Sequence, residues 1–160
     1  MSKANKAVVR RLFDDCLNGH NLDLYPEFYF DVVYRAPAVG ELRNEEHRHF
    51  LLSLFAGFPD AQWTIEDQVS EKDRVVTRWT VIATHTGTFM GISPTGRQFR
   101  SSGICICRIA GGKIVEEWEE WDTLGMMQQL AVLPAEANVG TASSSDADTI
   151  ATEWDSSARI

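Results

Sequence analysis

The chain has 160 residues, is 44% hydrophobic and carries a net charge of −8 with a sequence pI of about 4.9. That acidity argues against unaided binding to nucleic acid or to an anionic membrane surface. No apolar run reaches the length needed to span a bilayer, and the N-terminus leads into no signal-peptide core, so a cytoplasmic protein is expected.

The length fits a single folded domain. The cysteines are Cys16, Cys105 and Cys107, an odd number with no framework spacing. They are expected to be reduced and to pack as small hydrophobes.

Residues 4–18 place Val8, Leu12 and Cys16, with Val9 and Phe13 one step round, on one stripe, which predicts an amphipathic helix ended at Gly19. Residues 22–30 are dense in aromatics and predict a short helix leading to a short strand at Val32–Tyr34. Pro37 ends that strand because it cannot donate to a ladder, and residues 38–43 are expected to form a loop.

A second long helix is predicted over 44–57, with Asn44 as N-cap, Glu45 and Glu46 in the first turn, and Phe50, Leu51, Leu54 and Phe55 as the buried stripe. Four strands follow at about 61–70, 73–86, 97–110 and 113–122, with a turn-rich linker at 90–96. Helices first and long strands later predict an α+β fold, the helices covering one face of an antiparallel or mixed sheet.

Beyond Pro134 the chain is rich in Ala, Ser and Thr and holds Glu136, Asp146, Asp148, Glu153 and Asp155 against Arg159. Such a composition buries too little apolar area to offset ordering entropy. The expected organisation is therefore a domain over 1–133 and an acidic tail over 134–160.

The segment that carries most information runs from Gly111 to Leu130. Gly111-Gly112 marks a turn. If the strand alternates regularly, Ile114, Glu116, Trp118, Glu120 and Asp122 share one face, and Val115, Glu117, Glu119 and Trp121 the other. Asp122 ends the strand beside two Trp side chains and Met126. Apolar walls there would raise a carboxyl pKa and suit a general acid/base. Asp is equally a favoured N-cap for a helix from Thr123.

His85, at a strand end before Thr86-Gly87, would orient that carboxylate or donate to a developing oxyanion, or else be satisfied by a backbone carbonyl. Trp79 and Trp118 suit stacking on a flat ring, and Arg78 is expected to pair with one of the β-strand glutamates. His47 and His49 stand two apart on a helix and do not face one another, so no metal site is expected. No phosphate loop, dinucleotide fingerprint or nucleophile elbow occurs in the chain.

Gly-Lys-Ile-Val-Glu-Glu-Trp at 112–118, Trp-Asp-Thr-Leu-Gly at 121–125 and Gln-Gln-Leu at 128–130 resemble the closing segment of the SnoaL-like polyketide cyclases. These are also called ester cyclases and belong to the ketosteroid-isomerase-like, or nuclear transport factor 2-like, superfamily. Arg78-Trp79, Thr84–Gly87, Phe89–Ile92 and Pro94–Arg97 agree with it, and the resemblance spans roughly residues 6–131.

The resemblance implies a curved sheet wrapped around helices into a cone with an internal pocket, and a homodimer. It also implies cofactor-independent intramolecular aldol chemistry on a small apolar or aromatic carbonyl compound, with Asp122 as acid/base. Where family members often show a His before the first Pro, this chain has Arg35, which would favour a carboxyl-bearing ligand if it faces the pocket. A dehydratase or epoxide hydrolase on the same cone, and a non-catalytic small-molecule-binding module, are the alternatives.

Overall fold

The computed structural model describes residues 2–133; the tail expected from 134 onward lies outside them. Helix α1 (Ser2–Arg11) runs into a wider π-helical turn over Leu12–Leu17, closed by the Asn18 N–H donating to the Phe13 carbonyl at 2.8 Å. Val9, Leu12, Phe13 and Cys16 bury its inner stripe, as their spacing requires. A 3₁₀ turn (Leu22–Leu24) and a single turn α2 (Tyr25–Phe28) lead directly into strand β1 (Tyr29–Ala36).

Residues 40–43, expected as loop, form the edge strand β2 (Gly40–Arg43) against β1. Gly-Glu-Leu-Arg carries no strand pattern of its own; the ladder to β1 creates it. Helix α3 (Asn44–Gly57) has the expected span, but its cap is Arg43, whose N–H donates to Glu46 Oε2 at 3.0 Å. Asn44 instead serves β1: its Oδ1 accepts from the Val32 N–H at 2.9 Å.

Strands β3 (Gln62–Glu71), β4 (Arg74–Thr84), β5 (Gln98–Ala110) and β6 (Lys113–Trp121) follow, then helix α4 (Thr123–Gln129). The order in the six-stranded sheet is β2-β1-β6-β5-β4-β3, antiparallel except that β1 runs parallel to β6. β4 shows why the sheet has one wet face: Val75, Thr77, Trp79, Val81 and Ala83 are buried, whereas Arg74, Arg78 and Ile82 are exposed.

Irregularities curve the sheet. Register shifts interrupt β3 between Ile65 and Asp67, β1 between Tyr29 and Val33, and the β5–β6 pairing at Arg108 and Ile109. Each extra residue bends its strand and sharpens the local twist. The result is an open, curved α+β sheet whose concave face is covered by α1, the π turn and α3.

The bulge in β6 decides which of its side chains face the interior. Arg108 pairs with Glu116 and Ile109 with Ile114, so Val115 has no partner in the ladder. Alternation is therefore re-phased at Val115. Ile114 faces inward, and beyond the bulge it is Glu117, Glu119 and Trp121 that face inward.

Candidate functional site

Between α3, the π turn and the concave face of the sheet lies an internal cavity. About 70 Å³ of it admits the centre of a water-sized sphere, several times what one ordered water needs. Its walls are mostly apolar or aromatic, among them Phe13, Leu17, Trp63, Phe99 and Met126. Polar side chains interrupt them: Tyr29 and Tyr34 from β1, His47 from α3, and Glu117 and Glu119 from β6.

Glu117 is 5% exposed. Its Oε2 accepts from the Tyr29 hydroxyl at 3.0 Å, and the Cys107 thiol also helps hold the charged form. Burial, with repulsion from Glu119 added, outweighs both and pushes its pKa up to about 8. Glu119 accepts from the Tyr34 hydroxyl at 2.6 Å, and burial raises its pKa as well. The indole N–H of Trp79 lies beside the same carboxylate and favours its charge. It forms no geometrically complete hydrogen bond, and its Nε1 is left buried without a partner among the described residues.

His47 is 1% exposed and stacks on Tyr34 with ring centres 4.4 Å apart. Its Nδ1 meets the Tyr25 hydroxyl at 3.1 Å. Burial lowers its pKa to about 3, so it is a neutral imidazole at any ordinary pH. The tyrosine hydroxyls are pushed the other way and stay protonated donors.

Behind Glu117, the sulfurs of Cys105 and Cys107 and a Glu117 oxygen all lie within 4.8 Å of one another. The cysteines are free and fully buried, and their pKa values are raised, so the thiols keep their protons. As expected, they pack as small core residues with a weak hydrogen-bonding role. Gln68 extends this polar layer by donating to Thr77 Oγ1 at 3.0 Å.

Two expected site residues do line the cavity: Trp79, 4% exposed, and Met126 from α4, 1% exposed. Asp122 and Trp118 do not. Asp122 is exposed and caps α4, its Oδ1 accepting from the Gly125 N–H at 2.8 Å. It borders only a shallow groove with Arg78, Ser102, Ile104 and Glu120 on the outer side of the sheet. The bulge at Val115 turns the whole face of Trp118, Glu120 and Asp122 outward, so Asp122 stands in this exposed groove, with Trp121 at its edge, and not in an enclosed pocket.

Arg35 is also on the outer side. Its guanidinium lies 5.3 Å from the ring centre of Trp118, and its Nε donates to Glu41 at 3.1 Å. The cavity therefore has no cation from this residue to hold a carboxylate. The pairing expected for Arg78 is taken by another arginine: Arg108 makes the ion pair, with Glu116.

His85 is fully buried but does not line the cavity. Its Nδ1 accepts from the Thr95 N–H at 3.3 Å, and its backbone bonds to Gly96 and Arg97, so it fastens the 86–97 linker to the end of β4. No hydrogen bond joins it to Asp122.

Sequence reasoning missed Glu117, Glu119, Tyr29, Tyr34 and His47 as cavity residues. One signal was present: glutamates on a strand that also carries tryptophans, facing tyrosines two positions or more apart on β1. Their common face could not be read because both strands are irregular.

No curated protein matches the chain. Among solved structures, AclR from Streptomyces galilaeus is 27% identical with a TM-score of 0.78, the match covering 87% of this chain and 92% of AclR. IdmH from Streptomyces antibioticus is 28% identical with a TM-score of 0.70, over 79% of this chain and 98% of IdmH. TsrD from Streptomyces laurentii is 26% identical with a TM-score of 0.72, over 82% and 97%. The family model for SnoaL-like polyketide cyclases matches residues 7–130, the same stretch that builds the helices, the curved sheet and the cavity. The chain belongs to the SnoaL-like polyketide cyclase family.

Proposed function

We propose that this protein catalyses cofactor-independent proton transfer on a small apolar or aromatic carbonyl compound held in the internal cavity, with ring closure by aldol addition as the reaction served. The observation that carries this reading is the pair of carboxyls, buried Glu117 and half-buried Glu119, on one wall of a mostly apolar cavity. Like charges that close in a poorly solvated place do not both ionise readily. Burial raises both pKa values, and one proton shared by the pair leaves an acid and a base side by side.

Glu119 takes the proton from a carbon between carbonyl groups. The electron pair moves to a carbonyl oxygen, where the unpartnered Trp79 N–H and the neutral Glu117 supply hydrogen bonds to the enolate. The enolate carbon then attacks a second carbonyl, and the new alkoxide takes a proton from the pair. Carbonyl activation already acidifies the carbon, so side chains suffice for each of these steps. The fold alone does not choose this reaction: among the similar structures IdmH is a candidate polyketide cyclase and AclR a candidate hydroxylase.

The test is deuterium exchange at the activated carbon of flat bicyclic β-keto esters, followed by NMR. Wild type is expected to accelerate exchange, and Glu119→Gln to remove about 10²–10⁴-fold of that rate. Asp122→Asn, which changes a carboxylate outside the cavity, is expected to stay within a few-fold of wild type. Binding without exchange would make the protein a small-molecule-binding module. Loss of exchange in Asp122→Asn but not in Glu119→Gln would return the chemistry to the outer groove.

A further inference from the structure

The cavity is one-sided in charge. Two carboxyls line it, and neither Lys nor Arg is among its lining residues. Every element packed against the pair presents a neutral group. β1 offers the hydroxyls of Tyr29 and Tyr34, and β5 the thiols of Cys105 and Cys107. β4 offers the Trp79 indole, and α3 a neutral His47, with Tyr25 behind it.

Around these carboxyls stand the rings of Tyr34, Phe50, Trp63, Trp79 and Trp121. Aromatic faces attract a cation and repel an anion, more strongly where water is excluded. A carboxylate entering this space would meet two acids and no counter-charge. An ammonium group would meet both a counter-ion and π faces.

We infer that the natural ligand of this cavity carries a protonated amine on an apolar body, with the Glu117–Glu119 pair as its counter-ion and the aromatic rings as its walls. This rests on the cavity being the ligand site, as the proposed function does, and adds the charge of the substrate. An ammonium beside the carbonyl also stabilises the enolate and displaces the proton that the pair otherwise holds, which frees a carboxylate to act as base. Ligand and proton then compete for the same carboxyls.

The experiment is equilibrium binding of three matched probes, 2-naphthylmethylamine, 2-methylnaphthalene and 2-naphthoate, by quenching of the cavity tryptophans at pH 6 to 8.5. The amine is expected to bind at least about tenfold tighter than the hydrocarbon at the top of this range. Its affinity should fall by up to about tenfold per pH unit as the pair takes up its proton. The hydrocarbon should show no such slope, and naphthoate should bind weakest. In Glu119→Gln, and separately in Glu117→Gln, the preference for the amine should shrink while the hydrocarbon binds as before.

Naphthoate binding as well as the amine, a flat pH profile for the amine, or a preference undiminished in both variants would overturn the inference. The wild-type profile decides the matter even if a variant fails to fold. Amine preference without exchange activity would leave this inference standing and sink the catalytic proposal. Exchange activity without amine preference would do the reverse.

Discussion

At the residue scale the buried Glu117 ties the stability of the fold to pH. Glu117 has its pKa raised in the folded chain, to about 8 from an ordinary 4.5. A group raised in this way favours folding fully below its unfolded pKa, and the benefit is lost as pH rises through the folded value. Thermal stability of wild type should therefore decline between about pH 5 and pH 8. Glu117→Gln, which stays neutral, should flatten that decline when melting temperature is measured across the range; an unchanged slope would mean that the group is solvated.

Asp122 is a different kind of residue. Removing its cap as Asp122→Ala should cost about 1 kcal/mol in chemical denaturation, the usual worth of an N-cap. That helix-cap role was legible from the Asp-Thr-Leu-Gly sequence. The chemistry attached to Asp122 rested on an enclosed pocket, whereas the bulge at Val115 turns its strand face outward.

At the scale of the elements most of the architecture was legible. The long apolar and β-branched runs of β4 and β5, the apolar stripe of α3 and the glycine pair before β6 located these elements within about two residues, because each signal is bounded by a turn. What stayed hidden is what periodicity cannot carry. β2 exists only because β1 offers it an edge. The faces of β1 and β6 are set by register irregularities that depend on neighbouring strands, and a one-residue change reverses every side chain beyond it.

Gly103 shows an opposite case, where a small residue has a plain reason. It faces inward on β5, and a Cβ there would overlap the Trp79 ring and the Glu120 carbonyl. Gly103→Ala should displace the indole from the cavity wall and destabilise the fold by about 1–3 kcal/mol. Tryptophan fluorescence together with denaturation would report both effects.

At the scale of the whole molecule the convex face of the sheet is the least finished surface. Val69, Ile82 and Ile104 are 57%, 46% and 45% exposed there, beside the Trp118–Arg35 pair. We expect a second copy to cover this face through these side chains. Sedimentation should then show a dimer at micromolar concentration, and Ile104→Glu should split it by placing charge in an apolar contact. A monomeric wild type would refute the assembly. No helix among the described residues is long and apolar enough to cross a membrane.

The unpaired Val115 can also be thought of as a shift of reading frame written in three dimensions. One residue, by being extra, decides whether the glutamates or Trp118 and Glu120 look inward. Deleting Val115 would remove no contact of the cavity itself, yet it would ask the sheet to bury one set of side chains and expose the other. Its loss should abolish folding, whereas Val115→Ala, which keeps the count, should be well tolerated. In a chain of this fold, the length of one strand thus shapes the cavity as much as the identity of any acid on it.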